Sequence, residues 1–331
     1  MARSREIHLA ARPRGVPQPT DFALVEIDVP EPADGQVLIR NAFVSVDPYM
    51  RGRMNDTRSY VPPFALGEPL TGGAVGQVVA SRNQRVEEGS WVVHNLGWRE
   101  LALSDGDGLL AFDPAAAPVS TALGVLGMPG LTAYVGLLDV GRPVAGETVF
   151  VSGAAGAVGS AVGQIAKLKG CRVIGSAGSP EKVAWLRELG FDEAFDYREA
   201  PAREALEEGI DIYFDNVGGA MLEAALGALR QRGRVVACGA ISQYNATELP
   251  VAPRNLFLVV TKRLRMEGFI VSDHYDRLAA FLAEVGPWVR DGSVRYRETV
   301  VDGIESAPAA FIGLLAGENT GKMLVRVGPG T

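Results

Sequence analysis

Residues 148–159, Thr-Val-Phe-Val-Ser-Gly-Ala-Ala-Gly-Ala-Val-Gly, set a short β-branched apolar run against a glycine-rich turn, and a helical pattern follows. This is the order in which a strand, a turn and a helix hold a dinucleotide pyrophosphate. In Ala154-x-Gly156-x-x-Gly159, one glycine lets the backbone approach the anion and the next lets helix pack closely on strand. The N–H groups at the helix start face the anion. Glycine triplets alone are weak evidence, but here the flanks agree. Val158, Ala161, Val162, Ile165, Ala166 and Leu168 form one apolar stripe, and Gly170 stops the helix.

An NAD site usually ends its second strand in Asp or Glu, which accepts from the adenosine ribose and repels an added phosphate. About 20 residues past the turn, where that acid belongs, the chain reads Gly175-Ser-Ala-Gly-Ser-Pro-Glu-Lys182, and the strand end carries no acid. Two serine hydroxyls and Lys182 stand there instead, with Tyr197 and Arg198 near the end of the next strand. Ser179-Pro180 reads as an N-cap followed by proline at the first helical position, which puts Lys182 in the first turn. The plain alternative is a solvated helix cation. A cation is disfavoured at that end of the helix dipole, and a nearby phosphate reverses the preference. NADP(H) is therefore expected over NAD.

The elements that must position these residues follow from periodicity. From Thr148 onward strands and helices alternate: strands at 171–176, 193–196, 210–215, 234–239 and 265–270, helices at 180–189, 203–208 and 220–229. Such alternation predicts a doubly wound parallel sheet. Leu278, Phe281, Leu282, Val285, Trp288 and Val289 mark a further helix with an inward stripe. The first hundred or so residues read instead as all-β, with strand runs within 22–29, 36–45, 76–80 and 91–93, and predict a small, partly open barrel. Two proline-bearing loops interrupt that half, Ser45-Val-Asp-Pro-Tyr-Met-Arg-Gly-Arg-Met54 and Ser59-Tyr-Val-Pro-Pro63, and each presents a tyrosine, Tyr49 or Tyr60. A helical pattern at 119–138 is broken at Gly127-Met-Pro-Gly130, and short terminal strands at 298–301 and 323–327 rejoin the barrel.

Composition narrows the function. The 331-residue length predicts two domains, and a net charge of −7 argues against a nucleic-acid surface. No run reaches about 18 apolar residues, and the charged start has no signal-peptide core behind it, so a cytoplasmic protein without a membrane span is expected. The 2 cysteines, Cys171 and Cys238, are expected as unpaired buried thiols. With only 3 histidines, His8, His94 and His274, no zinc site of ordinary spacing can be assembled. Gly72-Gly-Ala-Val-Gly76 precedes a strand-like run and reads as a barrel turn. Arg51 and Arg53 could attract a substrate carboxylate, although solvated or interface arginines are commoner. The chain lacks the Tyr-x-x-x-Lys pair of short-chain reductases and the Gly-Lys-Ser/Thr of a kinase-type phosphate loop.

Finer motifs add a resemblance. Val46-Asp-Pro-Tyr-Met-Arg51, Leu126-Gly-Met-Pro-Gly-Leu-Thr-Ala-Tyr134, Gln164-Ile-Ala-Lys-Leu-Lys-Gly-Cys171, Phe214-Asp-Asn-Val-Gly-Gly219, Cys238-Gly-Ala-Ile-Ser-x-Tyr-Asn245 and Arg263-Leu-Arg-Met-Glu-Gly-Phe269 span nearly the whole chain. Together they resemble the zinc-independent medium-chain dehydrogenase/reductases, in the branch of prostaglandin/leukotriene reductase, 2-alkenal reductase and curcumin reductase. The resemblance implies an α/β protein with a GroES-like, partly open β-barrel domain (1–125, with a return at 293–331) around a Rossmann NADP-binding domain (126–292). It also implies a homodimer and NADPH-dependent reduction of a carbon–carbon double bond conjugated to a carbonyl.

Carried over motif by motif, it places Gly156, Ala157 and Val158 at the pyrophosphate. Gly175, Ser176, Ser179, Lys182 and Tyr197 fall at the adenosine phosphate, and Asn216, Gly239, Ile241, Ser242 and Tyr244 along the rest of the cofactor. Phe269, Ile270, Val271, Asn319, Met128 and Thr132 fall toward the nicotinamide. The reaction needs a hydrogen-bond donor where enolate charge develops. Several relatives carry a tyrosine two residues before the Arg-Leu-Arg motif, where this chain has Thr261. Tyr49 and Tyr60 are then the catalytic candidates, with the cofactor ribose hydroxyl or ordered water as further donors and no metal. A quinone oxidoreductase of the same fold, or an NADPH-binding protein without turnover, are the alternative readings.

Overall fold

The computed structural model describes residues 2–248, 250–251 and 253–328. The first segment runs β1 Ala2–Leu9, β2 Phe22–Val29, β3 Val37–Ser45, α1 Met50–Arg53, β4 Ala74–Ser81, β5 Trp91–His94, β6 Leu101–Ser104 and β7 Leu110–Phe112. The second holds α2 Met128–Val135, β8 Thr148–Val151, α3 Ala157–Leu168, β9 Arg172–Ala177, α4 Pro180–Glu188, β10 Glu193–Asp196, α5 Ala202–Ala205 and β11 Ile210–Asp215. It continues through α6 Gly219–Ala228, β12 Leu229–Ala237, α7 Phe257–Thr261, β13 Arg265–Gly268 and α8 Leu278–Arg290. The last segment is β14 Glu298–Asp302, α9 Ala307–Ala316 and β15 Lys322–Arg326. Two units result, Met1–Gly124 with Glu298–Thr331, and Val125–Arg297.

In the second unit six strands pair in the order β10-β9-β8-β11-β12-β13, every pair parallel. Period-two alternation explains the layering. Val149 and Val151 of β8 pack with Val162, Ile165, Phe214 and Phe281 on one face, while Phe150 packs with Ile174, Tyr213 and Leu226 on the other. Strand order reverses at β8, between β9 and β11, and ligands of open α/β sheets bind at such a switch point, beyond the carboxyl ends of the strands.

In the first unit, β14-β15-β3-β4-β5-β7 form a mixed sheet whose path stays open at β14 and β7. One edge of β3 is shared, because Val37–Arg40 pair with β6 and Phe43–Ser45 with β15. Phe22, Trp98 and Phe311 meet with ring centroids 6.0–6.4 Å apart at the centre of the larger core.

Several elements differ from expectation, each for a visible reason. β1 carries Arg3, Arg5 and Glu6, and that charge hid a strand pairing along its full length with β2. α9 is apolar on nearly every side, so no amphipathic period marked it. The 119–138 pattern resolves into a 3₁₀ turn at Val119–Leu123, α2, and a π-helical stretch at Gly136–Gly141. Gly76 lies in β4, where an added Cβ would meet the Arg40 carbonyl, so the Gly72–Gly76 run serves the sheet.

Candidate active site

The glycine turn joins β8 to α3 at the switch point. The Ala154 N–H donates to the Ser176 carbonyl at 2.9 Å, tying the turn to the end of β9. Gly156 caps α3 in extended backbone, and the first intrahelical bond runs from the Ser160 N–H to the Gly156 carbonyl at 3.0 Å. The amides of Ala157, Val158 and Gly159 are thus the first-turn donors, the groups that bind an anion at a helix N-terminus. A Cβ on Gly159 would lie 2.6 Å from the Gly153 carbonyl oxygen and 2.7 Å from the Ala154 Cα. Only glycine allows that approach of helix to turn. The residues therefore fit a pyrophosphate.

At the end of β9, the Ser179 hydroxyl accepts from the Lys182 N–H at 3.3 Å and caps α4, with Pro180 at the first helical position. Lys182 is half-buried, and its pKa is lowered, first by burial and then by the nearby Arg198 charge. Two cations held within mutual influence make a place for an anion. The Tyr197 hydroxyl fills the space beside Gly178, where a Cβ would lie 2.8 Å from it. The Arg198 guanidinium lies 5.9 Å from the Tyr197 ring centroid. The sequence places Arg198 near the strand end without a role for it; its position two residues past the end of β10 was the available signal. Gly175 has a packing duty, since its Cβ would meet Phe191 at 2.7 Å, and the buried Ser176 Oγ has no hydrogen-bond partner among the described residues.

Beyond β11 a buried polar network shapes the next turn. Tyr213 donates to Asp215 Oδ1 at 2.6 Å, and the same oxygen accepts from the Val217 and Gly218 N–H groups at 2.9 and 2.8 Å. Burial raises the Asp215 pKa, and these donors oppose the rise. The Asn216 side chain donates to the Ser152 carbonyl at 2.8 Å, so this turn is stitched to the glycine turn. Gly239 N–H donates to the Asp215 carbonyl at 3.0 Å, Ile241 N–H to the Asn216 carbonyl at 3.2 Å, and Ser242 Oγ to the Val217 carbonyl at 2.6 Å. Tyr244 Oη accepts from the Ala240 N–H at 3.3 Å. Asn216, Gly239, Ile241, Ser242 and Tyr244, separate in sequence, therefore belong to one hydrogen-bonded group. Sequence reasoning passed over Tyr213 and Ser152, which read as ordinary sheet residues. In the same unit, Thr132 Oγ1 donates to the Met128 carbonyl at 2.8 Å inside α2, and Phe269 to Val271 follow β13.

In the first unit, Tyr49 caps α1 and Tyr60 is 61% exposed in its proline loop. Buried Arg51 donates to the Pro13 and Gly15 carbonyls and to Asn55, which is structural work. Buried Asn319 donates to the Gly321 carbonyl at 2.7 Å, just before β15. Lys322 follows, buried, with its ammonium 2.8 Å from the Val46 and Met323 carbonyls and 3.1 Å from Asp47. That clamp fixes the strand end from which the Asp47-Pro48-Tyr49 turn departs.

Comparison with known proteins adds the family. The model described as "N-terminal domain of oxidoreductase" matches residues 5–112, and that described as "Zinc-binding dehydrogenase" matches 157–285. The NADPH-dependent curcumin reductase of Escherichia coli (strain K12) is 48% identical, over 98% of this chain and 97% of that one. The chain belongs to the medium-chain dehydrogenase/reductases. Within that family it falls in the curcumin, 2-alkenal and prostaglandin reductase branch. The 2-alkenal reductase (NADP(+)-dependent) of Nicotiana tabacum is 45% identical over 95% of this chain and 94% of its own. The structure of CurA in complex with NADPH from Vibrio vulnificus superposes with a TM-score of 0.93 at 47% identity, over 98% of this chain and 99% of that one. Among the described residues of this medium-chain reductase, no three His, Cys, Asp or Glu side chains are placed to hold a metal. Among the described residues, the donor set does not fit zinc.

Proposed function

We propose that this chain is an NADPH-dependent oxidoreductase that reduces the carbon–carbon double bond of α,β-unsaturated aldehydes and ketones. When bound, the cofactor supplies hydride to the β-carbon. The observation that carries the cofactor choice is the acid-free end of β9, where Ser179, Lys182, Tyr197 and Arg198 converge. The Gly156–Val158 backbone binds the pyrophosphate, and the group around Asn216, Gly239, Ile241, Ser242 and Tyr244 supports the rest. Met128, Thr132, Phe269, Ile270, Val271 and Asn319 are assigned toward the nicotinamide. Gly175 and Ser176 shape the adenosine end.

The chain's own contribution to the chemistry is a donor for the oxygen that gains charge as hydride reaches the β-carbon. Tyr49 and Tyr60 are assigned that duty. The screen that tests the reading follows NADPH consumption with enals, enones of increasing length and quinones. Turnover of enals or enones well above quinones supports it. Faster quinone turnover, or NADPH binding with no acceptor consumed, refutes it.

A homodimer in the cytoplasm completes the proposal. In its support, β13 is the outer strand of the six, and Phe257 and Val260 on adjoining α7 are 72% and 67% exposed. Both cysteines are free thiols, in keeping with a reducing compartment. No helix among the described residues is long and apolar enough to cross a membrane.

A further inference from the structure

Arg53 stands out among the residues that this reading leaves unused. It is the last residue of α1, half-buried, and its side chain is held from three sides. Nε donates to the Pro62 carbonyl at 3.0 Å, Nη1 lies 3.3 Å from the Thr71 carbonyl, and the guanidinium sits 4.0 Å above the Phe64 ring. The Tyr49 and Tyr60 phenols both bear on its charge. One cation thus ties the Tyr49 turn to the proline loop that carries Tyr60.

The groups facing Arg53 are two carbonyls, a ring and two phenols, with no carboxylate ion pair among the described residues. Withdrawing an arginine from water without a counter-ion is costly, and burial does depress its pKa. A guanidinium has donors only, so toward Arg53 the Tyr49 oxygen can only accept, which leaves its own hydrogen for another partner. A donor that itself accepts from a cation tolerates more negative charge and is a stronger hydrogen-bond donor. Space is also kept beside the phenol, for a Cβ on Gly72 would come within 3.9 Å of Tyr49 Oη.

We propose that Arg53 is a positioning residue that orients the Tyr49 hydroxyl and strengthens it as donor to the enolate oxygen of the substrate. This rests on the enone-reductase reading. Arg53 acts through Tyr49 and touches no reacting atom.

The test compares Arg53→Gln, Arg53→Lys, Tyr49→Phe and the Arg53→Gln/Tyr49→Phe double variant in the full-length protein with NADPH and an enal. Readouts are kcat and KM separately, the NADPH dissociation constant and the melting temperature. Gln keeps an N–H donor and removes the charge. Arg53→Gln is expected to lower kcat about tenfold, with KM and NADPH affinity within about twofold. Arg53→Lys should restore kcat to within about threefold, and the double variant should be no slower than Tyr49→Phe. If Arg53→Gln melts early, Arg53→Lys decides, with recovered kcat supporting the proposal and a loss as deep as in Tyr49→Phe overturning it. Additive losses overturn it, as does a rise in KM confined to carboxylate-bearing substrates, which would make Arg53 a docking site. A silent Arg53→Gln beside a slow Tyr49→Phe overturns only this proposal. A silent Tyr49→Phe removes the Tyr49 assignment along with it.

Discussion

Replacing Lys182 by glutamate reverses a charge in the first turn of α4, and its effect on the two nicotinamide cofactors follows from the contacts there. Lys182 is half-buried beside Arg198, and both circumstances penalise its positive charge while no phosphate is bound. A 2′-phosphate relieves both. One charge-assisted contact contributes about 1.5–3 kcal/mol, which corresponds to about 10- to 150-fold in affinity. Glutamate removes that contact and adds repulsion, so about tenfold is the floor for NADPH, whereas NADH, lacking the phosphate, should bind nearly as before. Parallel calorimetric titrations with both cofactors measure the difference, and in the parent it should shrink as salt is raised. The sign of the pH effect is also set. As pH rises through the lowered Lys182 pKa, its charge is lost and NADPH affinity falls, earlier than an ordinary lysine would allow. Equal losses for NADPH and NADH in Lys182→Glu would refute the reasoning, since the lysine would then serve the helix alone.

Other perturbations reach different parts of the molecule. His94 is buried, its Nε2 2.9 Å from Asn41 Oδ1 and its Nδ1 3.1 Å from the Leu96 N–H, and burial followed by the Arg99 charge lowers its pKa from 6.5 to about 4. The stability it contributes is complete above pH 6.5 and is lost as pH falls through about 4, a change of about 3 kcal/mol. Urea unfolding at pH 7 and pH 4 should show that much less acid sensitivity in His94→Gln, and identical pH slopes would count against it. Tyr213→Phe strips one donor from Asp215 and should cost about 1–3 kcal/mol in chemical denaturation; a loss below about 0.5 kcal/mol would show the network to be slack. Gly159→Ala forces a methyl against backbone of the glycine turn, and about 1–3 kcal/mol of destabilisation with at least about tenfold weaker NADPH binding is expected. Unchanged NADPH affinity would remove the close-approach argument.

The nucleotide half was legible because its signals are local. Gly156 and Gly159, the stripe from Val158 to Ala166 and the Ser179-Pro180 cap each express a rule that operates within one or two turns, and each appears where expected, while Leu168, at the fraying end of the helix, is exposed instead of buried. The strand alternation was equally plain, with boundaries off by a few residues at β12 and β13. What escaped depends on long-range pairing. β1 is a strand because β2 lies beside it, and α9 is a helix buried on several sides, so neither shows the period its type would give in isolation. The site divides the same way. A missing acid could be read from one segment, whereas the setting of Arg53 beside the Tyr49 turn depends on how the Pro62 and Thr71 loops fold back over α1.

The shared edge of β3 bears on how the protein is made. The chain leaves the first unit at Gly124 and re-enters it at Glu298, and β15 is the strand that covers Phe43–Ser45. During synthesis the intervening unit is contiguous and can mature as soon as it emerges, while half of that β3 edge waits until residues 322–326 are made. An early-emerging sheet thus carries a temporary sticky border until β15 has emerged. Nascent chains stalled before Lys322 should be the ones that chaperones hold and that aggregate.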